Sequence, residues 1–173
     1  QHIFPANLSP PQWRDCISCA ERIVEKAGVV FSPFQIEGFI TERGFVFLEM
    51  AARTAGDYNV THLLPAVLEG DYLVDCLTAF VGEEPIGKKP NKIPDQTFAG
   101  TRYLITPHEG EFKELIGIEE AQRIEGFQHL YCELQPGQAV RQPPADHFSS
   151  RVASIFASGR TFESVAQRLR QIE

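Results

Sequence analysis

Trp13, Cys16, Ile17, Ala20, Ile23, Val24 and Ala27 recur at intervals of three and four, which predicts one amphipathic helix with a single apolar face. Ser9 stands at its N-cap, with Pro10 in the first turn, Gln12 at the capping-box position and Gly28 as the stop. His2–Ala6 before it reads as a short strand. From Val29 to Met50 the period changes to two, with a break at Thr41–Gly44, so this stretch predicts paired strands. A loop of small residues, Ala51–Tyr58, leads into two helical patterns, Val60–Leu68 and Tyr72–Val81. Gly70 and Asp71 separate them, Asp71 as N-cap, and Pro65 fits only near a first turn. Glu83–Gln96 holds three prolines, three lysines and a glycine and reads as a linker. The pattern then turns β-rich: Thr97–Ile105, Gly110–Ile116, Phe127–Leu134 and Ser150–Ser158. Gln135-Pro136-Gly137 is a turn, and a short helix is expected at Ile118–Arg123. A last helix starts at Thr161, with Phe162, Val165, Leu169 and Ile172 on one face. The expected class is α+β, in two parts, 1–96 and 97–173.

The stretch from Phe34 to Met50 has the most chemical content. Ile36, Gly38 and Ile40 alternate with Gln35, Glu37 and Phe39; Val46, Leu48 and Met50 alternate with Phe45, Phe47 and Glu49. A three-residue loop Glu42-Arg43-Gly44, with Gly44 left-handed, pairs Thr41 with Phe45, Phe39 with Phe47 and Glu37 with Glu49. The other face then pairs Ile36 with Met50, Gly38 with Leu48 and Ile40 with Val46. A two-residue turn instead pairs Glu37 with Leu48 and mixes the faces. Two carboxylates directly across a ladder lie roughly 5 Å apart at Cβ and repel unless something offsets them. A shared proton is one answer and a bound divalent cation another. A third reading is a solvent face with Arg53 as counter-ion. Phe39 and Phe47 make that face partly apolar, and an extended chain brings Arg53 to the side of Glu49, where a guanidinium suits phosphate or carboxylate oxygens.

Composition removes several classes. With 43% hydrophobic and 23% charged residues the chain is of ordinary globular type, and at 173 residues it is long enough for a sizeable core. A net charge of −7 with dispersed cations disfavours nucleic acid as a partner, the one small cluster being Lys88, Lys89 and Lys92. No run approaches the ~20 apolar residues of a membrane span, and no signal-peptide pattern opens the chain. Cys16 and Cys19 form a CxxC inside the helical pattern without a second pair, so these two, with Cys76 and Cys132, read as reduced thiols in a cytoplasmic protein. The chain opens on Gln1 and its one methionine is Met50, from which a piece of a longer protein is expected.

Phe34-Gln35-Ile36-Glu37-Gly38 followed by Phe47-Leu48-Glu49-Met50-Ala51-Ala52-Arg53 resembles the metal-binding hairpin of the ATP-grasp superfamily. The resemblance implies that Glu37 and Glu49 bind magnesium bridging the ATP phosphates. It implies for Arg53 a catalytic contact to phosphate or an acyl-phosphate intermediate. Many members carry Asn two residues after the second Glu; Ala51 stands there, so the second ion would be less well held. The Glu-x-Ala-Ala-Arg form is more similar to the amino-acid ligase and related carboxylate–amine ligases than to biotin carboxylase. Gly56-Asp57 and the helix from His62 resemble the segment near the acceptor substrate, which implies substrate-binding roles for Gly56, Asp57 and His62. Thr97–Glu173 resembles the β-rich C-terminal region of these enzymes. The implied fold is the second half of an ATP-grasp domain plus a β-rich C-terminal subdomain. The family's adenine-binding lysines and flexible loop would lie ahead of Gln1.

The implied activity joins a small carboxylate to an amine through an acyl phosphate, with Mg2+ and ATP required and ADP released. A full-length parent would be active and this fragment alone inactive. A biotin-carboxylase-like or carbamoyl-phosphate-synthase-like ligase using bicarbonate is the alternative within enzymes. A non-catalytic assembly domain is the alternative outside them, and a homodimer is compatible with any of these. His108, His62 as a surface residue, and Ser149-Ser150 offer weaker chemistry: the first lies in a turn and the serines lack a nucleophile elbow.

Overall fold

The structure, a computed structural model, describes residues 1–30, 32–68, 72–84, 97–146 and 148–173. The expected N-cap Asp71 and the lysines 88, 89 and 92 lie outside the described residues. In chain order the elements are β1 (His2–Phe4), α1 (Pro10–Ala27), β2 (Gln35–Thr41), β3 (Gly44–Ala51), α2 (Leu64–Val67), α3 (Tyr72–Phe80), β4 (Phe98–Ile105), β5 (Gly110–Glu111), α4 (Ile118–Gln122), β6 (Phe127–Cys132), β7 (Ala139–Val140), β8 (Arg151–Gly159) and α5 (Phe162–Ile172). They fall into two compact units, Ala6–Ile93 and a second made of Gln1–Pro5 with Pro94–Glu173. Among the described residues no helix is long and apolar enough to cross a membrane.

The second unit is an antiparallel sheet in the order β1-β4-β8-β6, with α5 against one face. His2–Phe4 joins this sheet, pairing with Thr101–Ala99 of β4, so the opening strand belongs with the C-terminal sheet. Alternation along β8 sends Ile155 and Ala157 to the α5 side, where they join Val165, Leu169 and Ile172 in one cluster. Ile155, Val165 and Leu169 are fully buried, each worth roughly 2 kcal/mol in transfer from water. Gly100 is needed at this contact, since a Cβ there would meet Val165 Cγ1 at 2.8 Å and Leu169 Cδ1 at 2.9 Å. Thr161 caps α5, accepting from Ser164 N–H at 3.0 Å. The opposite sheet face is more polar: buried Ser154 hydrogen-bonds Glu133, which pairs with Arg151 at 3.5 Å, and the Arg151 guanidinium lies 4.8 Å from the Tyr103 ring centre. The strand expected at Gly110–Ile116 shrinks to β5, and the unforeseen β7 pairs with it; the ladder holds only Gly110–Val140 and Glu111–Ala139.

In the first unit α1 forms as its periodicity requires. Gln12 Oε1 accepts from the Ser9 N–H at 2.8 Å, and Gly28 closes the helix at φ +65°. Yet none of its residues is fully buried, and Ile17 is half exposed. Phe39, Phe47, Leu48, Leu77, Phe80 and Val81 are exposed as well. The first expected helix splits into a π-helical turn, Asn59–Leu63, and the short α2. Pro65 explains the split: it has no N–H to give Thr61 O, so the preceding turn widens, with Leu64 N–H reaching Asn59 O.

The hairpin β2–β3 departs from the expected register near its tip. The turn holds two residues, Glu42 and Arg43, and pairs Thr41 with Gly44, Ile40 with Phe45, Phe39 with Val46 and Gly38 with Phe47. Leu48 is then an extra residue, a β-bulge, after which Glu37 faces Glu49, Ile36 faces Met50 and Gln35 faces Ala51. The expected three-residue loop is therefore wrong, and the carboxylate pair survives because the bulge restores the count.

Candidate active site: an opposed glutamate pair on a bulged hairpin

Glu37 and Glu49 occupy one ladder pair immediately beside the bulge. A bulge at this place increases the local twist and re-aims the side chains next to it. Gly38 makes the geometry possible. A Cβ there would lie 2.3 Å from Phe45 Cζ and 2.5 Å from Val46 O, so the Phe45 ring covers a position only glycine can leave open.

Arg53 is linked to this pair by a residue the sequence pattern did not single out. Its Nη1 donates to Gln35 Oε1 at 2.7 Å and to Thr54 O at 3.0 Å, and Gln35 Nε2 donates to Glu37 Oε1 at 2.6 Å. The amide thus uses its acceptor for the guanidinium and its donor for the carboxylate, orienting both. The signal was present: Gln35 lies two residues before Glu37 on the same strand face.

Gly56, Asp57 and His62 form a separate turn. Gly56 O accepts from Asn59 N–H at 3.0 Å and from Asn59 Nδ2 at 2.8 Å, and a Cβ on Gly56 would meet nothing within 4 Å. Asp57 and Tyr58 both take left-handed backbone conformations, φ 52° and 63°, which side-chain-bearing residues adopt at a cost. His62 donates its N–H to Tyr58 O at 2.8 Å, sets Nδ1 2.8 Å from Thr61 Oγ1, and meets the Tyr58 ring edge-on at 5.3 Å. Strained backbone, a π turn and an oriented imidazole occur here together, a combination common where ligands bind.

A hard cation suits the hairpin donors: two carboxylates from one ladder pair supply oxygen ligands of the type magnesium takes, the remaining positions going to water and phosphate oxygens. Among the described residues no group of three or more His, Cys, Asp or Glu forms a self-sufficient metal cage.

Residues 102–173 match the family model for the L-amino acid ligase C-terminal domain 2. Over nearly its whole length the chain superposes on known structures. It covers 98% of itself on an L-amino acid ligase from Bacillus licheniformis with a TM-score of 0.84 at 18% identity. The fold is that of the C-terminal part of an ATP-grasp ligase. This ATP-grasp likeness extends to a phosphoribosylglycinamide synthetase from Anaerococcus prevotii, TM-score 0.78 at 12% identity over 99% of the chain. It extends also to an N5-carboxyaminoimidazole ribonucleotide synthetase from Thermotoga maritima, TM-score 0.70 at 21% identity over 98%. The chain spans 43%, 42% and 43% of those three proteins. A curated relative, the uncharacterized protein y4rH of Sinorhizobium fredii, is 26% identical over 141 residues, which are 81% of this chain and 28% of that protein.

Proposed function

We propose that this chain is the metal-binding side of an ATP- and magnesium-dependent ligase that joins a carboxylate to an amine and releases ADP. The observation that carries the reading is Glu37 facing Glu49 across a bulged hairpin, within a chain of ATP-grasp fold. The match of residues 102–173 to an L-amino acid ligase domain favours a carboxylate–amine pair over bicarbonate as the substrate class. The exposed apolar side chains of α1, α3 and the hairpin fit a unit that packs against further parts of a longer protein.

Magnesium, when bound, would draw charge from the β- and γ-phosphates. Glu37 and Glu49 would hold it, two anions on facing strands balanced by one dication. Arg53, fixed by Gln35, would present its remaining N–H groups to the transferring phosphoryl group or the acyl phosphate. The Gly56–His62 turn would bind the acceptor substrate. Catalysis in such a site comes mainly from positioning and charge neutralisation, so loss of one carboxylate should be severe.

The test is ADP release by the full-length protein that carries this chain, with magnesium varied. Glu49→Ala should abolish turnover. ADP release near the wild-type rate in that variant refutes the assignment.

A further inference from the structure

We propose that Asp15 on α1 is a positioning residue for the glutamate hairpin, selecting the bulged register over an unbulged one that the same residues can form. The inference rests on the function proposed above.

Two registers keep Glu37 opposite Glu49. The observed one closes the tip at Thr41–Gly44 and expels Leu48 as a bulge. The other pairs Thr41 with Phe45, Ile40 with Val46, Phe39 with Phe47 and Gly38 with Leu48, and needs no bulge at Leu48. They differ by one residue along Gly44–Phe47, so moving between them exchanges the faces of Phe45, Val46 and Phe47. It also removes the bulge beside Glu49, and with it the local twist that aims that carboxylate.

The Phe45 N–H distinguishes the two. Strand N–H groups point alternately toward and away from a given neighbour. In the observed register the Phe45 N–H points away from β2 and donates to Asp15 Oδ2 at 2.5 Å, across thirty positions of sequence. In the unbulged register the same N–H turns inward to β2 and is lost to Asp15. The Asp15 bond and the unbulged register therefore exclude each other. Gly44 belongs to the same latch: its φ is +99°, and a Cβ would sit 2.5 Å from Asp15 Oδ2, so only glycine admits the carboxylate this close. The tip adds its own bonds, Arg43 N–H to Thr41 Oγ1 at 3.1 Å and Thr41 Oγ1–H to Gly44 O at 3.0 Å.

The experiment compares wild type, Asp15→Asn, Asp15→Ala and Glu49→Ala in the full-length protein, measuring ADP release against magnesium concentration. Asp15→Ala should raise the magnesium needed for half-maximal rate about tenfold, the effect of losing one hydrogen bond to a carboxylate. Asp15→Asn, whose side-chain oxygen still accepts the Phe45 N–H, should rescue most of that loss. A magnesium response unchanged in Asp15→Ala, or an Asn variant as impaired as the Ala variant, overturns the proposal. If either occurs while Glu49→Ala is inactive, the ligase reading stands and only the role of Asp15 falls. Should Asp15→Ala fail to fold, the wild-type protein decides. Slow amide exchange at Phe45 with nuclear Overhauser contacts between Thr41 and Gly44 supports the latch, and Thr41–Phe45 pairing refutes it.

Discussion

Gly38→Ala tests the packing of the hairpin most directly. The added Cβ would sit 2.5 Å from Val46 O and 2.3 Å from Phe45 Cζ. The ring tip can swing aside, but Val46 O is backbone and moves only with its strand. Restoring an ordinary carbon–oxygen contact of about 3.3 Å requires a local separation of roughly 0.8 Å. A ladder hydrogen bond of about 2.9 Å stretched by that amount passes out of range. Losing it costs about 1 kcal/mol. Displacing the Phe45 ring adds about 1–2 kcal/mol of overpacking strain. Replacing glycine within a strand returns about 0.5–1 kcal/mol of backbone entropy. The net destabilisation is about 2 kcal/mol. Urea unfolding followed by the fluorescence of Trp13, the sole tryptophan and part of the same unit, would report it. Gly56→Ala is the control, since nothing lies within 4 Å of its Cβ, and it should change stability by less than about 0.5 kcal/mol. A Gly38→Ala midpoint indistinguishable from that control refutes the close approach.

Two further outcomes follow from the second unit. Leu169→Ala, at a fully buried site between α5 and the sheet, should cost about 3 kcal/mol, read from far-ultraviolet dichroism during denaturation. The Asp146 carboxyl is held below the usual aspartate range by the Phe148 and Ser149 N–H groups, donated at 2.8 Å and 3.2 Å. Because its folded value is depressed, the stabilisation of this turn is complete above the usual aspartate range and lost as pH falls below it. Amide exchange at Phe148 and Ser149 should therefore respond to acid in wild type and show no such step in Asp146→Asn.

The helices at either end were legible because capping and periodicity act within a few residues. Ser9 with Gln12 starts α1, Gly28 stops it, and Thr161 starts α5, each by a contact inside one turn. The strands of the C-terminal sheet were legible for the same reason, since alternation along β8 separates Ile155 from Ser154 without reference to any neighbour. The polar relay from Arg53 to Glu37 was half legible: strand spacing sets Gln35 beside Glu37, but its bond to Arg53, eighteen positions away, forms only when the chain folds back. The π turn was hidden: Pro65 forbids a regular turn before it but does not dictate what replaces it.

The opposed glutamates mark the boundary between the two kinds of information. Matching the apolar positions of the two strands put Glu37 and Glu49 on one face, and each register that sets Ile36 opposite Met50 at the base brings them together. That matching could not determine whether the tip closes over two residues with a bulge or over three without one. Both satisfy the count. The tertiary structure decided it through groups remote in sequence or open to a neighbour: the Asp15 carboxylate, which takes an N–H that only one register turns outward, and the bare Cα of Gly38, which lets the Phe45 ring lie across it.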